Sequence, residues 1–296
     1  MTISKSATAK SWFIALIPLQ FVFLWSTGFI GAKFTVAYSD PFWLLFLRGF
    51  FSCITFSIIA LILKSKWPSW STVKKQMMAG FMLQAMFLGG AFKAISLSMP
   101  ATFVSLVTGL QPILTALIIS RKGTNLSRLQ WGGIIVGFAG VFLVLSPFSA
   151  DTTNVSLDAF LLSITALLGI TLGTLYQKSF TSDGSLITQI LFQYLSLTLV
   201  MGALSLVYED QSVQWSLSFV LGLGWLVVGL SLSATMLLMY MIKHGEATKV
   251  SSYFYLVPSF IAVESWLLFQ ESITLQAFLG MILTMIGLVM FSLKKQ

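Results

Sequence analysis

The sequence predicts an all-α integral membrane protein whose ten transmembrane helices form two inverted repeats of five. Three observations predict it. Apolar runs long enough to cross a bilayer recur along the whole chain. The cationic residues between them fall on alternate connections, and the second half repeats landmarks of the first.

Of the 296 residues, 57% are hydrophobic and only 9% charged, and the mean hydropathy is +0.92. A soluble domain carries about 25% charged residues, so this chain lacks the polar surface to stay in water. A helix rises 1.5 Å per residue, and crossing about 30 Å of hydrocarbon takes about 20 apolar residues. Runs at about 12–37, 41–63, 75–97, 100–120, 128–147, 156–180, 185–207, 216–243, 247–269 and 272–293 are of that order. Backbone amides in lipid need internal partners, which makes these runs helices. Barrel strands would be about ten residues of alternating polarity, a pattern not seen. The first run is too long for a cleaved signal core and lacks a small-residue cleavage pattern, so it is expected to stay as the first span.

Charge then sets orientation. Fourteen of the seventeen Lys and Arg residues lie at the N-terminus, at the C-terminus, or in alternate connections. Lys64, Lys66, Lys74 and Lys75 follow the second run; Arg121, Lys122 and Arg128 follow the fourth. The opposite connections hold Asp40, Asp151, Asp158, Glu209, Asp210 and Glu271 and no cation. By the positive-inside rule both termini face the cytoplasm, and the expected location is the cytoplasmic membrane. The net charge of +8 builds no basic groove with stacking aromatics, so nucleic acid is not the expected partner. Cys53 is the only cysteine, which excludes an intrachain disulfide.

The repeat is read from spacing. Ala101 stands eleven residues before Pro112 in the fourth run, and Ala247 eleven before Pro258 in the ninth. In the following runs Gln130 precedes Gly133 and Gly140, and Gln276 precedes Gly280 and Gly287, both glycine pairs seven apart. Gly28 to Lys33 and Gly173 to Lys178 share a spacing of five. The chain therefore divides near Asp151 to Asn154 into residues 1–150 and 151–296. Five spans is an odd number, so the halves enter the membrane from opposite sides, as in many secondary transporters. Exchanging the packings of two such halves would open a central site to alternate sides. Gly80, Gly89, Gly90, Gly132, Gly133, Gly137, Gly222, Gly224 and Gly229 are expected at close helix contacts. Pro112 and Pro258 each remove a helical hydrogen bond, as hinges or as tolerated kinks.

With these landmarks in place, the chain resembles the EamA-type family of the drug/metabolite transporter superfamily over nearly its whole length. The residues that carry the resemblance are WSTGFIGAKF (Trp25 to Phe34), Pro41 and Arg48 in DPFWLLFLRG, Ala101, Pro112, and the glycines of LQWGGIIVGFAGVFL. In the second half they are Ala247, Pro258, Glu271 and LQAFLGMILTMIGLV. The resemblance implies a ten-helix bundle with a central cavity, and transport of small metabolites, often export of amino acids or related compounds. Relatives carry nucleotide sugars or phosphorylated sugars. The small multidrug-resistance relatives use a glutamate in the first span, and this first span has none.

Ionisable side chains in a bilayer default to functional hypotheses. Arg48 lies seven residues inside Pro41, roughly 10 Å below the outer surface. Lys93 and Glu264 fall at similar depth, which suggests a shared polar site and a buried pair between Arg48 and Glu264. The alternative for Glu264 is a coupling proton; for Lys33 and Lys93 it is snorkelling to the interface. Gln84, Gln111 and Gln193, the last at the place in the seventh run equivalent to Arg48, either bind a polar solute or join helices. Trp25, Tyr176, Tyr240, Tyr253 and Tyr255 either line a cavity or pack. His244 reads as a solvated turn residue.

Lys33, Arg48 and Lys93 against Glu264 would leave about two excess positive charges, a field suited to a carboxylate or phosphate. The glutamines and tyrosines suit a zwitterionic, partly apolar solute better than a multiply charged phosphate. One His, one Cys and one deep Glu assemble neither a metal site nor a catalytic set. No P-loop is present either. No cofactor is expected, and the chain is not expected to be an enzyme. The expected partners are a small-molecule solute, the lipid bilayer, and a coupling proton or counter-solute; a monomer is compatible with the sequence. An organic-cation or nucleotide-sugar carrier and a channel-like subunit remain the alternatives.

Overall fold

The computed structural model describes residues 5–99, 101–121, 126–145, 156–245, 250, 252–269 and 274–293. Lys122, Asp151 to Asn154, Ala247, Lys249, Glu271, Lys294 and Lys295 lie outside the described residues. Among the described residues the chain is helical, and its one extended pairing is an isolated bridge between Ser39 and Val213.

In chain order the helices are α1 (Lys5–Thr35), α2 (Pro41–Ile62), α3 (Trp70–Ser96), α4 (Phe103–Arg121) and α5 (Arg128–Leu145). Then come α6 (Leu157–Lys178), α7 (Leu186–Tyr208), α8 (Leu217–His244), α9 (Val257–Phe269) and α10 (Leu275–Ser292). Among the described residues seven helices are long and apolar enough to cross a membrane; the apolar stretches of α5 and α10 are shorter. Helix α9 has 13 residues because a 3-10 turn, Tyr253–Leu256, precedes it. The fold is thus a multi-pass helical membrane protein with seven full-length spans among the described residues.

Polar caps start several helices. Ser69, Ser156, Ser185, Ser216 and Thr274 each accept a hydrogen bond from the backbone three residues on, satisfying an N–H that lipid could not. Outward faces are apolar: Leu61, Ile135, Leu206, Leu221, Leu279 and Val289 are all exposed.

The two halves interlock rather than sit side by side. Helix α1 of the first half packs on α8 of the second, where Gly28 faces Leu230 and Gly31 faces Leu226. The counterpart pairing is α6 on α3, where Gly173 faces Leu83 and Gly169 meets the backbone of Met82 and Phe87. Helices α5 and α10 form a close pair. A side chain at Gly133, Gly140 or Gly287 would strike the partner's backbone. These are the glycines whose equal spacing marks the repeat, and small residues at such crossings let helices approach in lipid. Two glycines differ from the expectation: Gly224 faces open space, and a side chain at Gly229 would first meet Trp225 of its own helix.

Two irregularities recur at equivalent places. Helix α3 carries a π-helical segment at Phe81–Met86, and α8 carries one at Leu226–Ala234. The hydroxyls of Ser231, Ser233 and Thr235 accommodate the second, each donating to the carbonyl five residues back. The proline sites are irregular too. Gly109 and Leu110 form a turn just before Pro112, and the 3-10 turn just before Pro258 answers it.

Candidate functional site

A cavity with about 460 Å³ of empty space, its mouth included, opens between α1, α2, α3 and α8. Both π-helical segments border it, through Gln84 on α3 and Leu230 on α8. Such segments redirect side chains that a regular helix would bury elsewhere, and they are frequent at functional sites. The walls are apolar: Trp25, Phe29, Phe87, Leu88, Phe92 and Ile95. Its polar lining consists of Arg48, Gln84 and Thr235. A second, smaller chamber, with about 270 Å³ of empty space when its opening is included, carries Ser105, Thr108 and Gln111 and shares Trp25, Phe29 and Phe87 with the first. Trp25 and Phe87 stack with centroids 5.7 Å apart and planes 10° from parallel. This aromatic pair forms part of the wall common to both chambers.

Arg48 is 4% exposed. Its Nε donates to Ser231 Oγ at 2.9 Å, and the Tyr194 hydroxyl lies beside the guanidinium. Tyr194 in turn shares a 2.9 Å hydrogen bond with Thr235. The arginine is thus held by two helices of the second half, although it belongs to the first. Among the described residues no carboxylate pairs with it.

That corrects the expected pair with Glu264. Glu264 instead accepts a hydrogen bond from Ser26 Oγ, between α9 and α1. Its other oxygen has no hydrogen-bond partner among the described residues. The depth expected from the sequence did not mean contact: α1 meets α9 through Ser26 and α8 through Gly28 and Gly31. The suggested cluster of three charges is corrected as well. Lys93 turns toward the Asp40 end of the bundle, 3.5 Å from Glu209 and over the Phe42 ring. Lys33 is exposed. Only Arg48 of the three cations lines the cavity, so the local excess is one charge rather than two.

Glu209 has a further role that spacing does not reveal. It accepts hydrogen bonds from the backbone N–H groups of Phe42 at 3.1 Å and Trp43 at 2.9 Å, capping α2 from the end of α7. Beside it, Asp40 accepts from the backbone and side chain of Ser212. The opposite end repeats this clasp. Asp183, before α7, accepts from the backbone and side chain of Ser69, before α3. Hydrogen bonding from Thr72 and Ser69 holds the Asp183 carboxyl below the usual aspartate range.

The other candidates scatter. Gln111 lines the second chamber and donates to Thr174 at 3.4 Å. Gln193 lies outside both chambers; its amide donates to Gln76 at 2.7 Å and to Gln177 at 3.1 Å. Tyr255 is fully buried, away from both chambers, against Gly137 of α5. Tyr176 packs on Phe180, and Tyr240 on the exposed His244. Tyr253 borders neither chamber. Tyr255 turns to a neighbouring helix, while Tyr176 and Tyr240 each pack on a ring four residues further along the chain. Sequence reasoning missed Phe29, Phe87, Phe92, Tyr194, Ser231 and Thr235. One signal was available for two of them: the hydroxyl run of LSLSAT inside an apolar stretch.

A chambered cavity inside a membrane-embedded bundle of two interlocked, near-equivalent halves defines a membrane transport protein. The chain matches the model of the EamA-like transporter family over residues 12–146 and again over 158–293, and it belongs to that family. It is similar to a Bacillus subtilis (strain 168) protein described as "Uncharacterized transporter YvbV", with 25% identity over 296 residues, 95% of this chain and 92% of that one. A solved structure described only as "Crystal structure of protein" shares the fold, with a TM-score of 0.77 at 17% identity, covering 94% of this chain and 95% of that one.

Proposed function

We propose that the protein is a secondary carrier that exports small carboxylated metabolites, amino acids or related compounds, across the cytoplasmic membrane. In this reading all ten helices span the bilayer, the two halves are inverted repeats, and both termini are cytoplasmic. The Asp40 end is then the outer one. The observation that carries the substrate class is Arg48, a buried guanidinium on the cavity wall with no carboxylate partner among the described residues. Its forked donors match a carboxylate. An organic cation would meet that charge unfavourably, which disfavours the rival class. A nucleotide-sugar solute would bring more charge than one arginine offsets. The protein acts without cofactor, metal or catalytic step.

Coupling is assigned to Glu264, a buried carboxylate held by Ser26 with no cation beside it among the described residues. It can exchange a proton without breaking an ion pair. The test is flux in proteoliposomes with labelled amino acids, other carboxylates and quaternary ammonium compounds. Saturable flux of carboxylates with counter-transport is expected. Robust flux of quaternary cations without any carboxylate response overturns the proposal, and unsaturable flux indicates a channel. Orientation is checked with cysteine reporters in a Cys53-free background. The Asp151 loop should label from the medium, and Lys64 to Lys75 should not.

A further inference from the structure

Within the carboxylate reading, on which this step rests, we infer that the solute preferred over zwitterionic amino acids is a net monoanion: a carboxylate on an apolar body without a charged amine. Charge balance in a low-dielectric space selects such a solute. Among the described residues the cavity lining carries one full charge, Arg48, and Arg stays protonated in any protein environment. The acids elsewhere do not reach it. Glu209 is engaged by Lys93 and the start of α2, and Glu264 by Ser26 on another flank of α1. The cavity as it stands is therefore cationic.

A monocarboxylate entering it brings the buried charge to zero. A zwitterion brings its own carboxylate and a second cation, so one positive charge stays buried without compensation. Charge left unpaired in such surroundings is costly. Among the described residues no side chain in the lining supplies an anion to an ammonium group. The neutral polar groups are the Gln84 amide and the Thr235 hydroxyl, and Thr235 is already engaged with Tyr194 and the carbonyl of Leu230. Gln84 is 3% exposed and lines the cavity, and its side-chain amide makes no hydrogen bond among the described residues, so it is available to the solute. It offers a second donor to the carboxylate or one contact to a neutral polar group.

The rest of the lining fixes the other end of the solute. Phe29, Phe87, Phe92, Leu88 and Leu230 present apolar surface, with Trp25 at the wall shared with the second chamber. A hydrophilic carboxylate such as a hydroxy acid would lose hydration there without repayment. An aryl or branched alkyl body would gain from burial.

Three probes with one body separate the head groups: 3-phenylpropionate, phenylalanine and phenethylamine, carrying net charges of −1, 0 and +1. Each is titrated against the purified full-length protein by thermal shift. The same three then compete with labelled phenylpropionate for flux in liposomes. Half-saturation by phenylpropionate should lie about tenfold or more below that of phenylalanine, the size expected from one uncompensated charge in a partly hydrated cavity. Phenethylamine should give no response. Gln84→Glu adds an acid to the lining and should reverse the order in favour of phenylalanine. Arg48→Lys keeps the charge, and should keep the order at reduced affinity.

Tighter binding of phenylalanine than of phenylpropionate by the unmodified protein overturns this inference while leaving the carboxylate carrier intact. Tighter binding of phenethylamine overturns both. A folded protein that answers none of the three, yet transports small hydrophilic carboxylates, overturns the apolar-body assignment. If Gln84→Glu fails to fold, the order in Arg48→Lys and in the unmodified protein still decides.

Discussion

Arg48 and Gln193 occupy the same step of equivalent helices, seven residues beyond the first residue of α2 and of α7, yet their surroundings have diverged. Arg48 stands on a cavity wall with Ala32 nearby. The counterpart of Ala32, four residues after Gly173 as Ala32 is four after Gly28, is Gln177. It accepts from Gln193, which also donates to Gln76, in a knot of amides. The backbone frame is nearly the same at both ends: glycine crossings, π-helical segments and aspartate clasps all recur in pairs. The lining is not. A repeated frame supplies two equivalent ways of packing, which alternating access requires, while the side chains that differ between the halves decide which solute is held.

The largest expected effect tests that asymmetry directly. Arg48→Ala should reduce carboxylate flux about 100-fold, in line with the roughly 2–5 kcal/mol lost when one partner of a buried charged contact is removed. Gln193→Ala, at the equivalent step, should leave the half-saturating concentration unchanged, because its amide meets only other residues of the protein. Equal losses of affinity in the two variants would show that both halves contribute to binding, and would break the comparison.

The frame should respond in the opposite way. Gly133→Leu in α5 and Gly90→Leu in α3 each drive a side chain into the backbone of a facing helix, α10 and α6 respectively. Each should cost about 1–3 kcal/mol of stability, as overpacking does, read as a lower unfolding temperature in detergent. The substrate order should stay the same in protein that survives. A variant of normal stability with altered selectivity would mean that the crossings belong to the site.

Glu264 has no acidic counterpart near Pro112 in the first half, so coupling is expected to be as asymmetric as binding. Glu264→Gln should retain exchange of carboxylate across the membrane and lose its acceleration by a pH gradient. Loss of exchange at every pH would instead make the Ser26–Glu264 contact a structural one.

The smallest effect concerns the clasps. Asp183→Asn should lower thermal stability slightly at neutral pH. The carboxyl is held below its ordinary range by Thr72 and Ser69. Its contribution is therefore full above the ordinary aspartate value of about 4 and lost as the pH falls through the lower folded value. The gap between the unmodified protein and Asp183→Asn should close in acid. Asp40→Asn, at the other clasp, should lower stability at neutral pH to a similar small extent.

Much of the frame was legible in the sequence. Apolar run length announced membrane helices, and the paired spacings Gly133–Gly140 and Gly280–Gly287 marked residues that do meet across α5 and α10. The deep ionisable residues were legible as exceptions, and Arg48 does line the cavity. What the sequence misjudged was company. Arg48, Lys93 and Glu264 were expected at one depth in one site, but they point to Ser231, Glu209 and Ser26 in turn. The tyrosines, read as lining a cavity or packing, border neither chamber: an aromatic on an apolar helix gives no sign of which neighbour its face will meet.

The sequence by itself determined that this chain lives in a membrane as helices and that its halves repeat. Lipid penalises every unsatisfied amide and every stray charge, so length, composition and spacing leave little alternative. Only the tertiary structure decided which polar groups share a cavity. That depends on how each helix is rotated about its axis, and here the π-helical segments of α3 and α8 reset that rotation just where Gln84 and Ser231 stand. Hydrophobic patterning does not encode the register of such segments, because in these helices nearly every face is apolar.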